Sequence, residues 1–380
     1  MTTGQTIAAT ARLWLRHGSP WMARARRELT AFSPQMVELG LHELFADIAA
    51  NVEELERREA PRITSRGSRV TVSHVLSGNL PNPGIVSIIV GLLAGARNIV
   101  KPATGDQMPA LFVESLAAVD SKLAGRVVLT SNREAYRKAD AIIAYGSDET
   151  LSVLRQNVGG ASAPRRNGKT RQGRGAEAPP TFFGFGHRVS IGLVNLRDLS
   201  TRNTQYTIRA AAFDASFWDQ QGCMSPHCLY VRGNAAAFAE ALAVEMGQFD
   251  RRWPRATLRF EDAAAITRER NEWRFRGRVW ASKGSTHWTV VLDEHGDWSP
   301  SPLNRFVFIR PIESLARLRQ SKIQNPESKI STVGFAGFTP TEVVAMAQAD
   351  RYCSLGEMQR PSLLLTHGSR PRVGDLIHES

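Results

Sequence analysis

Residues 1–60 carry large apolar side chains at the spacing of an α-helix. The apolar positions recur at steps of three and four, which places them on one face of a helix. These positions are Leu13, Leu15, Trp21, Leu29, Met36, Leu39, Leu41, Leu44, Phe45 and Ile48. The pattern predicts a helical amino-terminal region, which we assign to residues 1–68.

The pattern changes from residue 69 onward, where short β-branched runs alternate with helical ones. The predicted strands are 70–76, 98–100, 126–129, 141–145 and 187–195, and the predicted helices are 84–95, 106–119, 132–138 and 148–158. Because strands that alternate with helices form parallel βαβ units, this spacing predicts a doubly wound sheet. We expect an α/β fold with one domain over 69–204, a second over 205–345 and a loop-rich tail over 346–380.

A stretch without large apolar side chains interrupts the alternation at residues 159–180. It contains five basic residues and one carboxylate among Gly, Ser, Ala and Pro. Such a segment buries too little apolar surface to offset the entropy of ordering the chain. We therefore predict a flexible basic insertion within the first domain.

The amino-acid composition favours a globular protein and argues against disulfide-rich, zinc-binding and membrane-spanning classes. Of the 380 residues, 42% are hydrophobic and 22% charged, as in ordinary globular proteins. The cysteines Cys223, Cys228 and Cys353 form neither a disulfide framework nor a zinc motif. The longest apolar stretch, 84–96, is shorter than the ~20 residues of a membrane span, and residues 1–20 lack the apolar run of a secretory signal. We predict a cytoplasmic protein with no membrane span and no bound metal.

The net charge of +12 does not by itself indicate a nucleic-acid partner. Arginine greatly outnumbers lysine, a bias that genome composition produces in many soluble proteins. Residues 251–278 do concentrate nine arginines, four carboxylates and two tryptophans. This segment has three possible interpretations. It forms a solvent-exposed face, it binds the phosphates of a small cofactor, or it binds nucleic acid by stacking on bases and contacting phosphates. We predict that nucleic acid is not a partner.

Cys223 is the strongest candidate for a nucleophile. It follows Gly222 and precedes the apolar run Leu229–Val231. Amides and helix ends near such a cysteine lower the pKa of its thiol and favour the reactive thiolate. The alternative is a small buried apolar residue, which is the interpretation we prefer for Cys353.

Three further motifs follow predicted strands. Asn79, in a Gly/Pro-rich loop, is placed either to donate to an oxyanion or to form an ordinary turn. Lys101 ends a strand within reach of a ribose or phosphate. Gly146 and Ser147 lie at a helix start, where N–H groups and the helix dipole favour an anion such as a pyrophosphate, although Ser147 also suits a helix cap.

Together these motifs resemble the aldehyde dehydrogenase superfamily and, more closely, the acyl-CoA reductase family typified by the bacterial bioluminescence fatty-acid reductase. The matching segments, in chain order, are Gly78–Pro81, Lys101–Ala103, Tyr145–Ser147, Gln220–Pro226 and Arg351–Pro361. The most specific match is the cysteine segment, and the resemblance covers about residues 70–375. It implies an aldehyde-dehydrogenase-like fold, with two doubly wound α/β domains and a helical amino-terminal region.

The resemblance also implies catalytic roles. Cys223 stands where the family has its acylated nucleophile, and Asn79 stands where the superfamily has its oxyanion donor. We predict His227, four residues after the cysteine, as an acid/base group. Aldehyde-oxidising relatives activate water with a glutamate, whereas residues 184–192 contain no carboxylate. The absence of this base favours acyl reduction, because the thioester then survives long enough to be reduced.

For the cofactor, the resemblance implies that Lys101 meets the ribose and that Gly146 and Ser147 contact the cofactor at a helix start. Thr104 stands near the position where NAD-preferring relatives have a carboxylate. A neutral side chain there leaves room for a 2′-phosphate, so we predict NADPH, with NADH still possible.

The predicted reaction is therefore reduction of an acyl-CoA or an acyl group on an acyl-carrier protein to the aldehyde by NADPH. An acyl synthetase or transferase is a possible further partner, and we expect a homo-oligomer. Two other classes stay open at this point. One is a cysteine acyltransferase or thioesterase without redox chemistry, and the other is a basic interaction protein with a decayed active site.

Overall fold

The structure is a computed structural model that describes residues 1–59, 70–132, 134–159, 180–294, 298–313, 318 and 330–365. These residues form two compact units. The first unit takes its described residues from 1–25, 44–187 and 362 onward, and the second from 26–43 and 188–361. Most of the insertion predicted at 159–180 and the end of the tail predicted at 346–380 lie outside the described residues.

The helices account for the apolar periodicity of the sequence. They are α1 Thr3–Leu15, α2 Pro20–Glu28, α3 Pro34–Glu59, α4 Pro81–Leu93, α5 Met108–Ala117, α6 Ser121–Ala124, α7 Asp148–Gly159, α8 Thr201–Ser216, α9 Ala235–Arg252, α10 Phe260–Arg276 and α11 Pro340–Val344. Within the described ranges, no helix combines the length and apolar character needed to cross a membrane.

The strands form two sheets. They are β1 Thr71–Val75, β2 Arg97–Lys101, β3 Val127–Leu129, β4 Ala141–Tyr145, β5 Thr181–Phe185, β6 Val189–Asn195, β7 Pro226–Arg232, β8 Arg278–Ala281, β9 Thr289–Leu292, β10 Phe306–Pro311, β11 Ile330–Ala336 and β12 Ala349–Ser354. The predicted α/β fold with parallel sheets is confirmed.

The predicted amino-terminal helices are confirmed as well. Residues close in sequence determine where the first of them, α1, begins. The Thr2 hydroxyl accepts the backbone N–H of Gln5, and the Gln5 side chain accepts the N–H of Thr2, which forms a capping box. Farther along α1, the buried Trp14 stacks on Phe45 at 4.5 Å and donates to the Ser115 hydroxyl at 2.9 Å. These contacts hold α1 against α3 and α5 within the first unit.

The first sheet has the strand order β3-β2-β1-β4-β5, and all its pairs are parallel. The chain runs outward from β1 to β3 and then returns to the other side of β1 as β4. A switch point therefore lies between β1 and β4, where the loops after both strands separate. In open α/β sheets, ligands bind outside the carboxyl ends of the strands at such a point.

The second sheet has the order β12-β11-β6-β7-β10-β9-β8, parallel except for the β8–β9 pair. Its central strands are buried on both faces. Along β7, Leu229 and Val231 join one apolar cluster, whereas Cys228 and Tyr230 join the other. Helices α8 and α9 supply most of the first cluster, as expected for a parallel sheet covered on both faces.

The assignment of β6 differs from the sequence interpretation. We placed residues 187–195 in the first domain and the boundary after residue 204, but β6 pairs with β7 and β11 in the second sheet. The strand β5, which ends the first sheet, was not predicted. Only three residues separate β5 from β6. No helix lies between β5 and β6. The hydrophobic pattern therefore does not indicate that the chain passes from the first sheet to the second at this point.

The tail predicted from residue 346 also begins differently. Strand β12 pairs with β11 at the edge of the second sheet. Its sequence, Ala-Asp-Arg-Tyr-Cys-Ser, contains charged residues, as edge strands commonly do. A search for runs of hydrophobic residues therefore does not detect this strand.

His74 forms a buried polar contact at the centre of the first sheet. Its Nε2–H donates to Asn98 Oδ1 at 2.9 Å, and its Nδ1 accepts from the Ser87 hydroxyl at 2.7 Å. A Cβ at Gly91 would lie 1.8 Å from Asn98 Oδ1, so only glycine fits beside this pair. Burial lowers the pKa of His74 to about 4, while the bond to Asn98 raises it.

We predict that His74 makes the chain less stable in mild acid. Its folded pKa of about 4 lies below the usual 6.5, so the unfolded chain binds the proton more readily. The stabilisation is complete above pH 6.5 and is lost as the pH falls toward 4. Between pH 7.5 and 5.0 the free energy of unfolding should fall by about 2 kcal/mol more in wild type than in His74→Gln.

Urea unfolding at the two pH values measures this difference. His17→Gln, which removes an exposed histidine, is the control and should keep the wild-type dependence. An equal pH dependence in wild type and His74→Gln would contradict the prediction.

Candidate active site

Cys223 lies in a turn just before β7, at the amino end of the second sheet. The backbone N–H of Gln221 donates to Trp218 O at 2.9 Å, and that of Ser225 donates to Gly222 O at 3.0 Å. These two bonds close the turn on either side of the cysteine. The residue itself is exposed, whereas Cys228 is buried and Cys353 is half-buried.

The turn is preceded by three residues in the left-handed conformation. Trp218, Asp219 and Gln220 have φ values of 48°, 52° and 63°. Non-glycine residues in this region cost on the order of 1 kcal/mol or more each and persist only where the surroundings hold them. A second left-handed run, Leu303–Arg305, has φ values of 62°, 64° and 60°.

Side-chain amides join the two runs. The Gln220 side chain accepts the Phe306 N–H at 2.7 Å and donates to Phe306 O and Pro226 O, both at 2.9 Å. The Gln221 amide donates to Asn304 Oδ1 at 2.8 Å. The Gln-Gln pair before the cysteine therefore fastens the turn to the start of β10.

A buried ion pair reinforces the same junction. Arg305 donates through Nε to Asp219 Oδ1 at 2.9 Å, and the two side chains are 0% and 4% exposed. Arg305 also bonds Asp250 at 2.9 Å and Trp253 O at 2.8 Å. Burial raises the pKa of Asp219, and the Arg305 charge opposes this rise. Loss of one partner from such a pair typically costs about 3–5 kcal/mol.

Trp218 anchors the turn on its other side. Its indole lies 4.8 Å from the Phe32 ring, and its backbone N–H donates to Met36 Sδ at 3.3 Å. A Cβ at Gly40 would stand 2.0 Å from the indole. The glycine in α3 therefore makes room for the tryptophan that precedes the cysteine.

Two serines on neighbouring strands surround the cysteine. The Ser331 hydroxyl, on β11, lies 3.9 Å from Cys223 Sγ. The Ser190 hydroxyl, on β6, donates to Cys223 O at 2.7 Å and accepts the Thr332 N–H at 3.0 Å. The parallel register brings the amino ends of β6, β11 and β7 together at this point.

Arg188 supplies the positive charge at the sulfur. Desolvation raises the pKa of the Cys223 thiol, and the Ser331 hydroxyl and the Arg188 charge oppose this rise. Arg188 forms an ion pair with Asp350, the second residue of β12. The Arg188 charge that acts on the cysteine is therefore partly offset by Asp350.

The segment Arg351–Pro361 packs against the cysteine turn. Arg351 donates to Met358 O at 2.8 Å and to Glu357 O at 2.7 Å, and approaches Met224 Sδ at 3.9 Å. Gln359 donates to the Ser225 hydroxyl at 3.0 Å. The second family-like signature in the sequence thus supports the residues that follow Cys223.

The other two cysteines show the alternative structural role. Burial raises the pKa of both Cys228 and Cys353 to about 12. Cys228 is fully buried in an apolar cluster, and Cys353 packs against the other one. These thiols are therefore inert near neutral pH, which leaves Cys223 as the accessible one.

His227 lies on β7, where it is buried. Its Nδ1 accepts the backbone N–H of Ser301 at 3.1 Å, so the neutral ring carries its proton on Nε2. Its ring centroid lies 6.2 Å from that of Trp298. The Nδ1 bond ties β7 to the loop before β10, which is a structural role for this histidine.

In the first unit, the predicted motifs all lie at the carboxyl ends of parallel strands. Asn79 follows β1, and its Oδ1 accepts the Ser77 hydroxyl at 2.6 Å. This bond presents the Nδ2 amide as the donor. Gly78 has φ 72°, and a Cβ there would lie 2.3 Å from that of Ala103, so the loops after β1 and β2 meet only because the residue is glycine.

Lys101 ends β2 and is half-buried. Thr104, three residues farther along the chain, is exposed. Asp106 is half-buried and accepts the Met108 N–H at 3.0 Å. Asp106 therefore bonds the first backbone N–H of α5, and burial raises the pKa of its carboxyl. The carboxylate closest to Thr104 along the sequence, that of Asp106, is therefore hydrogen-bonded to the backbone at the start of α5.

Gly146 and Ser147 join β4 to α7. The Ser147 hydroxyl accepts the Thr150 N–H at 3.2 Å and lies 3.0 Å from the Thr150 hydroxyl, so this serine caps the helix. Asp148 and Glu149 occupy the first turn and complement the helix dipole. These carboxylates reduce the attraction of this helix start for an anion.

The arginine-rich segment 251–278 divides into buried and exposed side chains. Arg255 donates to Asn304 Oδ1 at 2.6 Å, and Arg270 donates to the Thr289 hydroxyl and to Trp288 O, both at 2.7 Å. Arg255 therefore shares Asn304 with Gln221 of the cysteine turn, whereas Arg270 holds the residues before β9. Others, such as Arg251, Arg268 and Arg274, are exposed.

Sequence reasoning missed Arg188 and Ser331 as neighbours of the cysteine, and Asp350 as the partner of Arg188. Each is far from Cys223 along the chain and carries no motif of its own. Only the order and register of the strands bring them together. One local signal exists: Arg188 lies in the stretch 184–192, where relatives that oxidise aldehydes carry their glutamate.

A scan of protein families matches residues 41–363 to the family described as acyl-CoA reductase (LuxC). Among curated proteins, a long-chain acyl-protein thioester reductase from Aliivibrio fischeri is 22% identical over 260 residues, which cover 64% of this chain and 49% of that protein. The chain thus spans about half the length of this relative.

Solved structures show the same fold. An NAD-dependent benzaldehyde dehydrogenase from Corynebacterium glutamicum matches with a TM-score of 0.66 and 12% identity, over 95% of this chain and 83% of that one. A succinic semialdehyde dehydrogenase from Streptococcus pyogenes, in complex with NADP+, matches with a TM-score of 0.66 and 11% identity, over 92% and 81%. The fold is therefore aldehyde-dehydrogenase-like.

We predict opposite effects of Arg188 and Asp350 on the reactivity of Cys223. Arg188→Gln removes the cation that favours the thiolate, so the pKa of the thiol should rise further. Asp350→Asn removes the opposing anion, so the pKa should fall. Each change should alter the alkylation rate at pH 7.5 by roughly threefold to tenfold, downward for Arg188→Gln and upward for Asp350→Asn.

The rate of reaction with iodoacetamide, followed by mass spectrometry, measures this effect. Cys223→Ala gives the background from the other thiols. Rates that change in the same direction in both variants would indicate a general loss of structure and would contradict the electrostatic interpretation.

Proposed function

The chain belongs to the acyl-CoA reductase (LuxC) family, and we propose that it reduces an acyl thioester to the aldehyde through an acyl group held on Cys223. The observation that carries this proposal is the exposed cysteine in a turn held by buried contacts, beside Arg188 and Ser331. The names of the relatives support the same class of reaction.

In the first step, Cys223 Sγ attacks the carbonyl carbon of the acyl thioester. The bond from that carbon to the donor sulfur breaks, the donor leaves as a thiol, and the acyl group remains as a thioester on Cys223. Because desolvation raises the pKa of Cys223, the resting group is the thiol and must lose its proton for attack. The Arg188 charge and the Ser331 hydroxyl favour the resulting anion.

Charge then develops on the carbonyl oxygen. We assign the donor for this oxyanion to the amide of Asn79, whose Oδ1 is held by Ser77 and whose Nδ2 carries the hydrogens. A preorganised donor of this kind stabilises the anion more than it stabilises the neutral carbonyl. We assign His227 a positioning role, through its bond to the Ser301 N–H, and an acid/base role stays a prediction.

Reduction requires that water does not cleave the acyl-enzyme first. Residues 184–192 contribute no carboxylate to activate water. Asp350 is paired with Arg188, the cation that acts on the Cys223 thiol. A paired carboxylate is a weaker base, which supports a reductase over a thioesterase.

The first unit fits a nicotinamide cofactor at its switch point. The loops after β1, β2 and β4 lie at one edge of a parallel sheet, where dinucleotides bind in such folds. Lys101, Thr104, Gly146 and Ser147 are the residues we propose to hold it. When bound, the cofactor supplies the hydride that converts the acyl group to the aldehyde.

NADPH suits the loop after β2 better than NADH. Thr104 is neutral and exposed, and the nearby Asp106 is turned toward the start of α5. A 2′-phosphate would therefore meet no free carboxylate of this loop. The donor that we propose is a long-chain acyl group on coenzyme A or on an acyl-carrier protein, supplied by an acyl synthetase or transferase.

We predict that incubation with an acyl-CoA alone leaves one acyl group on wild-type enzyme and none on Cys223→Ala. The thiolate is the strongest nucleophile of the turn, so no other side chain should replace it. Intact-mass spectrometry across a panel of chain lengths measures the adduct and its preferred acyl group. Cys353→Ala, which removes a thiol outside the turn, is the control and should acylate normally.

Free thiol release without cofactor separates the reductase from a thioesterase. Release should stop after about one equivalent per enzyme and continue only when the nicotinamide is added. Continued rapid release without cofactor would contradict the proposal, as would an acyl adduct on Cys223→Ala.

We predict that Thr104→Asp weakens NADPH binding by roughly tenfold or more and weakens NADH binding less. A carboxylate at this position repels a 2′-phosphate but accepts hydrogen bonds from ribose hydroxyls. Quenching of tryptophan fluorescence gives both dissociation constants. Ser152→Asp adds the same charge on the exposed face of α7 and should change neither, and tighter NADH than NADPH binding by wild type would contradict the assignment.

A further inference from the structure

Asp214, a residue of α8, is a buried carboxyl that takes no part in the reaction proposed above. The residue is 0% exposed. Its Oδ2 accepts the backbone N–H of Gly356 at 2.5 Å. Within the described residues, its other oxygen, Oδ1, has no hydrogen-bond partner. Burial of a carboxyl with one unsatisfied oxygen costs free energy, so the contact with Gly356 calls for a physical explanation.

This contact fastens the segment 351–361, which packs against the cysteine turn, to α8. Gly356 has φ 94°, a conformation that favours glycine. A Cβ at Gly356 would lie 3.1 Å from that of Ala210 on α8. The backbone of the segment therefore approaches the helix closely, and the Asp214 carboxyl holds it there.

Gln359 joins the same segment to the cysteine turn. Its side-chain amide donates to the backbone oxygen of Asp214 at 3.2 Å and to the Ser225 hydroxyl at 3.0 Å. The Ser225 N–H in turn donates to Gly222 O at 3.0 Å. Gln359 and Ser225 are 5% and 0% exposed, so water does not replace these bonds easily. A path of hydrogen bonds therefore runs from Asp214 to the residues on both sides of Cys223.

We propose that Asp214 is a positioning residue for Cys223, which acts through residues 356–359 and Ser225. By accepting the Gly356 N–H, it fixes the loop that carries Gln359. The Gln359 amide then fixes Ser225, which closes the turn around the cysteine. This role rests on the proposed function, because the position of the thiol matters only if Cys223 takes up the acyl group.

The protonation state of Asp214 sets the strength of this contact. Burial raises the pKa of Asp214 from 3.8 to about 7, and the backbone N–H groups of Gly356, Gln359 and Met358 and the Arg351 charge oppose this rise. The closed loop therefore binds the proton more tightly than an open loop in which the carboxyl meets water. The contact is strongest when the carboxyl is neutral, and it weakens as the pH rises through 7.

The other titratable groups around Asp214 keep their charge near neutral pH. The Arg351 charge acts on Asp214, and the Asp214 charge acts on Cys353 and Arg360. Burial raises the pKa of Cys353 to about 12, and arginines stay protonated throughout this range. Toward α9 and β7, α8 packs through an apolar cluster. Among these groups, Asp214 is therefore the one that titrates between pH 6 and 8.

Substitution of Asp214 tests whether its acceptor oxygen holds the turn. Asp214→Ala should slow acylation of Cys223 by an acyl-CoA roughly threefold to tenfold, because one hydrogen bond of the path is lost. Asp214→Asn keeps an acceptor oxygen and should acylate within about twofold of wild type. Neither variant should change the NADPH dissociation constant. Glu245→Gln, which alters a carboxylate that bonds α8 through Arg209, is the matched control and should behave as wild type.

Hydrogen exchange at several pH values tests the path itself. In wild type, the protection factors of residues 221–225 should fall by up to about tenfold between pH 6 and 8, because an open loop lets Asp214 ionise with its ordinary pKa of 3.8. In Asp214→Asn they should stay constant. In Gln359→Ala the turn should lose this pH dependence, whereas residues 356–359 should keep it. Peptides from β9 serve as the internal reference.

An Asp214→Ala variant that acylates and exchanges as wild type does would overturn the proposal. So would an Asp214→Asn variant as slow as Asp214→Ala, or a wild-type turn whose protection is the same at pH 6 and 8. If wild type takes up no acyl group at all, the proposed function fails. The exchange of the turn then still decides whether Asp214 holds it.

Discussion

The buried ion pair between Asp219 and Arg305 is the constraint on which the cysteine turn depends. The chain enters the turn through three left-handed residues, a conformation that non-glycine residues avoid. Arg305 belongs to a second left-handed run, so each strained segment is held by the other. The Arg305 and Asp219 side chains are 0% and 4% exposed, so neither charge can exchange its partner for water. The ion pair therefore holds the turn that carries Cys223 in one conformation.

The parallel sheets place the remaining groups. In the second sheet, the amino ends of β6 and β11 bring Arg188 and Ser331 to the cysteine turn, and the neighbouring β12 brings Asp350 to Arg188. In the first sheet, the carboxyl ends of the strands carry Asn79 and Lys101. Parallel pairing aligns like ends of strands, so residues far apart in sequence meet without any local signal.

This distinction explains what the sequence could reveal. The alternation of strands and helices predicts the α/β fold, and the short motifs predict Cys223 and Asn79, because both are local properties. The position of Asp350 could not be predicted, since a single charged residue in a polar edge strand resembles any solvated residue. The passage of β5 into β6 was missed for a similar reason, because sheet membership is decided by pairing partners rather than by the strand's own residues.

The electrostatics of the turn bear on the choice between reduction and hydrolysis. Desolvation raises the pKa of Cys223, so the environment disfavours charge on the sulfur and favours neutral species, which include a thioester. Asp350 is paired with Arg188, and a carboxylate held by a guanidinium is a weaker base for promoting attack by water. An environment that makes the thiolate costly also makes it a poorer leaving group. Under the proposed function, an acyl group on this sulfur would therefore persist long enough for hydride transfer to compete with hydrolysis.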